Sequence, residues 1–152
     1  MKKNERISEL VSVLGASGHE DLEPCYTGYF TTFNEGRYYE AHDVLEHLWL
    51  RCRDANRIFY QGLIQIAGAF VHLEKQFLRP EHPKDGKRLR PAVRLFRLGM
   101  EKIRPYGPVH LRLDVAALLE LCAQQTREIE ASAFGRNPWR PENAPRVNLL
   151  PA

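Results

Sequence analysis

Two histidines, a glutamate and two glutamines are spaced so that their side chains could meet in one polar site. His42 and Glu46 stand four residues apart in one segment, and Gln61, Gln65 and His72 follow at i, i+4 and i+11 in the next. Both segments have the apolar periodicity of helices, in which residues four apart are neighbours on one face. A buried polar group without a partner costs about 1–3 kcal/mol, so we expect these side chains to have partners or a chemical task.

The two helices differ in how they carry these polar side chains. His42 lies at the edge of the apolar face of the first helix, beside Trp49 and one turn before Glu46, whereas Asp43 points away and is expected to be exposed. The second helix is apolar around most of its circumference, which is typical of a central, buried helix. Its narrow polar strip includes Gly68, which leaves room beside the glutamines. If the helices pack antiparallel, this strip faces the first helix.

Three interpretations of this cluster remain open. The side chains can form a structural hydrogen-bond network that fixes the helix register, or they can line a pocket for a small polar ligand, with a histidine or glutamate poised for proton transfer. They can also bind a divalent ion (Zn, Mn or Fe) through His42, Glu46 and His72, with one coordination position open as in a metal-dependent hydrolase. The candidate site residues are His42, Glu46, Trp49, Gln61, Gln65 and His72.

The spacing of these residues favours a network or a small-ligand pocket over a metal site. One His-x-x-x-Glu pair is a weak metal signal, and the second histidine lies thirty residues away. A helical module for protein interaction is a further alternative. The sequence contains no cofactor motif, phosphate-binding loop or nucleophile–base arrangement, so it leaves open whether the protein is an enzyme.

The bulk composition is that of a globular protein with one core. The chain has 152 residues, of which 43% are hydrophobic and 27% charged, and this length predicts a single domain. No apolar run approaches the roughly 20 residues that span a bilayer, and no signal-peptide core is present. The cysteines Cys25, Cys52 and Cys122 are scattered and odd in number, which favours a reducing cytoplasm over a disulfide framework.

Charge is segregated along the chain. Residues 19–50 hold seven acids and one base, whereas residues 79–104 hold nine bases and three acids. We expect two solvated faces of opposite sign, which could also meet across a homodimer. A basic row of Lys87, Arg90, Arg94 and Arg97 could follow phosphates. However, no exposed aromatic residue interleaves with the row and the net charge is only +3, so the sequence predicts no nucleic-acid partner.

Almost every segment predicts a helix, and none has the alternation of a strand. We expect an all-α single compact bundle of five to six helices within a domain of residues 1–135. A short helix follows Asn4, another starts near Asp21, and the others lie at about 37–53, 55–77, 86–104 and 113–134. Pro91 indicates either a late start or a kink in the fifth helix. Residues 136–152 contain four prolines and should form an extended tail that docks through a mostly buried Trp139.

Two motifs occur in a specific order and at a specific distance: F-N-x-G-x-Y-x-E-A-H-x-x-x-E-x-x-W at residues 33–49, then Q-G-L-I-Q-x-A at 61–67 with His72 after it. This pattern resembles a small helical family of prokaryotes and plastids, domain of unknown function number three hundred and nine. The resemblance covers about residues 25–104. It implies an all-helical fold, supplies no activity, and marks the six candidate site residues as family-motif positions. Pro91, the helix at 113–134 and the tail depart from the usual pattern.

Overall fold

The computed structural model describes residues 2–14 and 21–152, without the side chains of residue 4 and residues 11–14. Within these ranges the fold is all-α, as the sequence predicts, with one short β-hairpin. In chain order the helices are α1 (Lys3–Leu14), α2 (Pro24–Asn34), α3 (Tyr38–Arg51), α4 (Arg57–Leu78), α5 (Leu89–Ile103) and α6 (Val115–Ala131). Short 3-10 turns lie at Arg104–Tyr106 and Pro141–Asn143.

A tight turn joins α2 and α3 into a helical hairpin. Gly36 has a φ of 75°, in the left-handed region that favours glycine. Its N–H donates to the Phe33 carbonyl over 2.9 Å, and the Arg37 N–H donates to the Thr32 carbonyl over 2.9 Å. The turn brings the ring of Phe33 against that of Tyr38, with centroids 5.1 Å apart, so the first residue of α3 is anchored in the core.

The central helix is α4, which packs between α3 and α5 as its all-round apolar surface predicts. The ring of Phe70 connects these layers, because it contacts Tyr38 of α3 and Phe96 of α5 with centroids 5.3 and 5.1 Å away. The buried Tyr29 hydroxyl of α2 donates to the Leu63 carbonyl over 2.6 Å. Across residues 2–14 and 21–152, no helix combines the length and the apolar character needed to cross a membrane.

Two glycines allow α4 and α5 to approach closely. A Cβ atom on Gly62 would lie 2.7 Å from Ile103 Cγ2 and 3.0 Å from the Gly99 carbonyl oxygen. A Cβ atom on Gly99 would lie 2.6 Å from Ile66 Cγ1 and 2.7 Å from the Gly62 carbonyl oxygen. Each glycine is therefore in direct backbone contact with the facing helix, and this contact sets how α5 lies on the centre of the fold.

A two-stranded hairpin between α5 and α6 corrects the expectation of a chain without strands. β1 (Val109–His110) pairs antiparallel with β2 (Leu113–Asp114). The two residues between them, Leu111 and Arg112, have φ values of 45° and 61°, although neither is glycine. The Tyr26 hydroxyl donates to the Leu111 carbonyl over 3.0 Å and holds the turn against α2. Strands of two residues are too short to produce a visible alternation in the sequence.

The helices after the centre begin later than the sequence predicts. α5 starts at Leu89, so Pro91 lies in its first turn, where an N–H is not needed for the helix. This is the late start that the proline indicates. α6 starts at Val115 because the Asp114 carboxylate accepts from the Ala117 N–H over 2.9 Å and caps the helix.

The proline-rich tail lies along the helical body, which confirms the predicted docking. Trp139 is 5% exposed, and its indole N–H donates to the Tyr38 hydroxyl over 3.0 Å. The Asn137 amide donates to the Leu73 carbonyl of α4 over 2.8 Å. Further hydrogen bonds join the backbone of Val147 to the Asn34 side chain and the N–H of Leu150 to the Arg112 carbonyl.

Candidate functional site

The predicted site residues His42 and Glu46 lie on α3. Glu46 contacts Lys3 of α1, and His42 contacts the neighbouring Asp43. The Lys3 ammonium lies 2.7 Å from Glu46 Oε1 and 3.6 Å from Asp43 Oδ1. The Arg6 guanidinium lies 3.0 Å from Asp43 Oδ2, and His42 Nδ1 lies 3.2 Å from Asp43 Oδ1. The hydrogen bond to Glu46 raises the pKa of Lys3 above its usual 10.5. Two cations of α1 therefore stabilise two carboxylates of α3.

Asp43 corrects the expectation that this residue is exposed. The residue is only 4% exposed, and its carboxylate contacts Lys3, Arg6 and His42. A buried carboxylate requires such partners, since an unpaired buried charge is strongly disfavoured. These cations lie almost forty residues away in the sequence, so helix periodicity alone does not reveal the pairing. The sequence feature that could have indicated this pairing is the basic start of the chain, which complements the acidic residues 19–50.

On α4, His72 and Gln76 contact Arg88, the residue just before α5. Gln76 Oε1 accepts from the Arg88 N–H over 2.7 Å, one residue before α5 begins. His72 Nδ1 lies 3.3 Å from the Arg88 guanidinium. The same guanidinium is bound to the Asp85 carboxylate, which also contacts Arg79. The end of the polar strip thus fixes the connection between α4 and α5.

The imidazole of His72 is neutral at neutral pH in this environment. Burial, together with the smaller effect of the positive charges of Arg88 and Lys75, lowers its pKa from 6.5 to about 4. A neutral imidazole can accept a hydrogen bond from Arg88, which a protonated one cannot do. The hydrogen bond to Arg88 lowers the pKa of Asp85, with burial acting in the opposite direction.

Two contacts fix the register of α3 against α4. At the start of α3, the Tyr38 ring stacks on Phe70 with centroids 5.3 Å apart. Near its end, the Arg57 guanidinium lies 4.3 Å from the centre of the Trp49 ring. The first turn of α3 is therefore level with the second half of α4, and the last turn of α3 is level with the start of α4. The two helices run antiparallel, an arrangement that the sequence left as a condition.

This register gives the level of His42 along α4. His42 follows Tyr38 by four residues, and Gln65 precedes Phe70 by five, so the two stand at about the same level. His72 follows Phe70 and is level with a point before the first residue of α3. The register therefore puts His72 about one to two turns from the level that His42 and Gln65 share.

Two polar atoms of the candidate site residues, one on α3 and one on α4, are enclosed and lack a hydrogen-bond partner among the described residues. One is the donor Nε1 of Trp49, which lies on the His42 side of α3, and the other is the acceptor Oε1 of Gln65. Gln61, one turn from Gln65 on α4, is half-buried. We call His42, Trp49, Gln61 and Gln65 the Trp49–Gln65 face.

The three predicted metal ligands have different neighbours. His42 and Glu46 contact the α1–Asp43 cluster, whereas His72 contacts Arg88. In the parts of the chain that the structure describes, no three or more His, Cys, Asp or Glu side chains are grouped as metal ligands. Binding of Zn, Mn or Fe by these three residues stays a prediction of the sequence.

The sequence suggested that Gly68 leaves room beside the glutamines, but the structure shows that this space is filled. A Cβ atom at this position would lie 3.2 Å from Leu95 Cδ1 of α5. The room beside the strip is therefore taken by an aliphatic side chain.

Comparison with known proteins identifies the part of the chain that carries this face. No curated protein and no solved structure matches the chain. Residues 26–80 match the family model described as Domain of unknown function (DUF309). This stretch includes nearly all of α2 and the whole of α3 and α4, with all six candidate site residues. The chain thus resembles the DUF309 family over the helical hairpin and the central helix that build the Trp49–Gln65 face.

Proposed function

We propose that the protein is a helical binding protein that holds a small polar ligand at the Trp49–Gln65 face. One observation carries this proposal: an indole N–H and an amide oxygen are enclosed there without partners in the described part of the chain. Each such group costs about 1–3 kcal/mol relative to a satisfied one. A ligand that accepts from Trp49 and donates to Gln65 recovers this free energy on binding.

The chemistry of the face favours an uncharged ligand that carries both a hydrogen-bond donor and an acceptor. Trp49 and Gln65 offer neutral groups, and the nearby charges of Asp43 and Glu46 are already bound by cations of α1. His42 is oriented by its contact with Asp43 and can add a third hydrogen bond. A primary carboxamide or the edge of a nucleobase offers both a donor and an acceptor in the required pairing.

The two indole N–H groups of the chain give a direct test, because the protein has only Trp49 and Trp139. In a proton–nitrogen correlation spectrum they give two indole signals, which the substitution Trp49→Phe assigns. We expect the Trp49 proton upfield of the Trp139 proton, since only the latter has a hydrogen-bond acceptor. Titration with nicotinamide, uracil or adenine should then shift the Trp49 signal downfield and saturate.

The signal of Trp139 is the internal control, because this tail residue is buried against the helical body and its signal should not move in the titration. A Gln65→Met variant should lose the shift while keeping the fold. The proposal fails if the Trp49 proton resonates at a hydrogen-bonded position without ligand. It also fails if none of the three probes moves the Trp49 signal more than that of Trp139.

A further inference from the structure

A row of four cations follows the outer side of α5. Lys87, just before the helix, and Arg90, Arg94 and Arg97 within it are all exposed. Arg90, Arg94 and Arg97 span about 10 Å of helix, and their spacing of four and three residues keeps them on one side. Lys87 extends the row, because it lines the same cavity as Arg90. The row is therefore an extended positive surface and is much longer than one phosphate group.

An aromatic ring reaches this row from α6. Phe134 lies just after that helix and has a φ of 62°. Its N–H donates to the Ile129 carbonyl over 3.0 Å, so the chain folds back at this point. The Arg90 guanidinium lies 4.2 Å from the centre of the Phe134 ring, which is a cation–π contact. A flat guanidinium held on an aromatic ring is a surface on which a base can stack.

Two cavities meet at this contact. One, of about 330 Å³, extends from Arg90 and Phe134 toward Lys87, and the other, of about 380 Å³, extends along Arg94. Pockets for small organic groups start at about 300 Å³, so each cavity can hold a ring the size of a nucleobase. Aliphatic side chains in both walls supply the apolar surface that such a ring requires.

The charge of the row is only partly balanced within the chain. Arg97 is paired with Glu130, and Glu101 is the carboxylate that lines the second cavity. Within the described ranges the other three cations of the row have no carboxylate partner at ion-pair distance. Asp85, the acid nearest to the row in sequence, is bound by Arg79 and Arg88. Three positive charges therefore remain for an anionic partner.

We propose that this groove binds single-stranded nucleic acid, with successive phosphates on the cation row and a base at the Arg90–Phe134 contact. A chain of anionic groups matches the length of the row, and flat rings between these groups fit the flanking cavities. The sequence predicts no nucleic-acid partner because no aromatic residue interleaves with the row. The fold removes that objection, since Phe134 enters from an element about forty residues away.

The first test measures binding of a fluorescein-labelled oligouridylate of about twelve nucleotides by anisotropy, from about 50 mM salt upward. With three unpaired cations on phosphates, log K should fall against log salt with a slope of about −2. Arg94→Gln should reduce that slope by about 0.7, because one phosphate contact is lost. The matched control is Arg127→Gln, which removes an exposed α6 arginine outside both cavities and should bind like the wild type.

The second test separates base stacking from simple attraction between charges. Phe134→Leu keeps an apolar side chain but removes the ring, and we expect about tenfold weaker binding with an unchanged salt slope. Circular dichroism of each variant checks that the fold is intact. Stronger binding of either oligouridylate or oligothymidylate supports the proposal and identifies the preferred sugar. Absence of saturable binding, full affinity of Phe134→Leu, or equal competition by polyglutamate overturns it.

Discussion

Single residues of the α4 polar strip differ in whether they have a partner. Gln76 Oε1 accepts from the Arg88 N–H, whereas Gln65 Oε1 is enclosed without one in the described part of the chain. Methionine has a similar shape and no acceptor of comparable strength. We expect Gln76→Met to lower the free energy of unfolding by about 1 kcal/mol, and Gln65→Met to leave it unchanged or raise it slightly. Urea unfolding followed by circular dichroism measures both. Equal destabilisation by the two changes would show that Gln65 has a partner.

The lowered pKa of His72 predicts a dependence of stability on pH. The unfolded chain holds this proton with a pKa near 6.5, and the folded protein holds it with a pKa of about 4. Between these values the unfolded state binds more protons. The contribution of neutral His72 to stability is therefore complete above pH 6.5 and is lost as the pH falls toward 4.

The substitution His72→Gln isolates this effect, because glutamine can accept from Arg88 but does not titrate. We expect the urea midpoint of the wild type to fall more than that of the variant between about pH 7 and about pH 5. The carboxylates titrate in both proteins, so the difference between them reports His72 alone. Identical pH dependence in the two proteins would contradict the pKa shift.

At the scale of elements, the Gly62–Gly99 contact sets the packing of α4 on α5. Alanine at either position improves helix propensity by about 1 kcal/mol, but its Cβ meets backbone or branched side chains at 2.6–3.0 Å. We expect Gly62→Ala and Gly99→Ala to lower the unfolding free energy by about 1–3 kcal/mol, because the helices must move apart. Chemical denaturation provides the measurement.

Gly68→Ala is the matched control on the same helix. Its Cβ meets only the end of the Leu95 side chain at 3.2 Å, and this side chain can rotate away. The control should be neutral or slightly stabilising. If Gly68→Ala destabilises the protein as much as Gly62→Ala, the cost comes from α4 itself and not from its contact with α5.

The helices of this fold could be predicted from periodicity, whereas the connections could not. The apolar surface of α4 is a local signal, and it predicted the central position of this helix. The β1–β2 turn is formed by Leu111 and Arg112 in left-handed conformations that their residue types do not indicate. Its conformation depends on the distant Tyr26 hydroxyl, which helix and strand patterns do not describe.

In the candidate site, too, features set by nearby residues could be predicted, whereas contacts between distant segments could not. His42, Glu46, Gln65 and His72 could be selected from residue type and spacing, because polar groups on apolar helices are locally visible. Their partners could not be selected, because α1 and the start of α5 contact them only after the chain has folded. The antiparallel register separates His72 from His42, a consequence of where Phe70 meets the first residue of α3.

For the whole molecule, the ion pairs in the folded structure decide which charges remain unpaired, and the distribution of charge along the sequence does not. Asp43 and Glu46 of the acidic stretch 19–50 are paired with α1, and among the described residues no ion pair joins this stretch to residues 79–104. The opposite charges that predict a homodimer are therefore reduced on the acidic side. Association of two copies stays a prediction, and light scattering at low and high salt measures it.

The tail contacts three helices of the fold, so its removal should destabilise the protein. Residues 136–152 contact α2 through Asn34, α3 through Tyr38 and α4 through Leu73. Deleting them exposes the site of Trp139, whose burial contributes about 2–3 kcal/mol. We expect the truncated protein to have a lower free energy of unfolding by at least this amount, measured by urea denaturation.

The smaller change Trp139→Phe separates the hydrogen bond from the burial. It removes the indole N–H from the Tyr38 hydroxyl, and we expect a loss of about 1 kcal/mol. Leu150→Ala is the control near the end of the tail, because this side chain is 38% exposed and should contribute little. Trypsin should cut the intact protein slowly after Arg136, whose bond to Asn137 is a normal trypsin site. A segment that stabilises the native state cannot be released without lowering the free energy of unfolding. Rapid cutting at this site with an unchanged unfolding midpoint would therefore show that the tail contributes nothing to the stability of the fold.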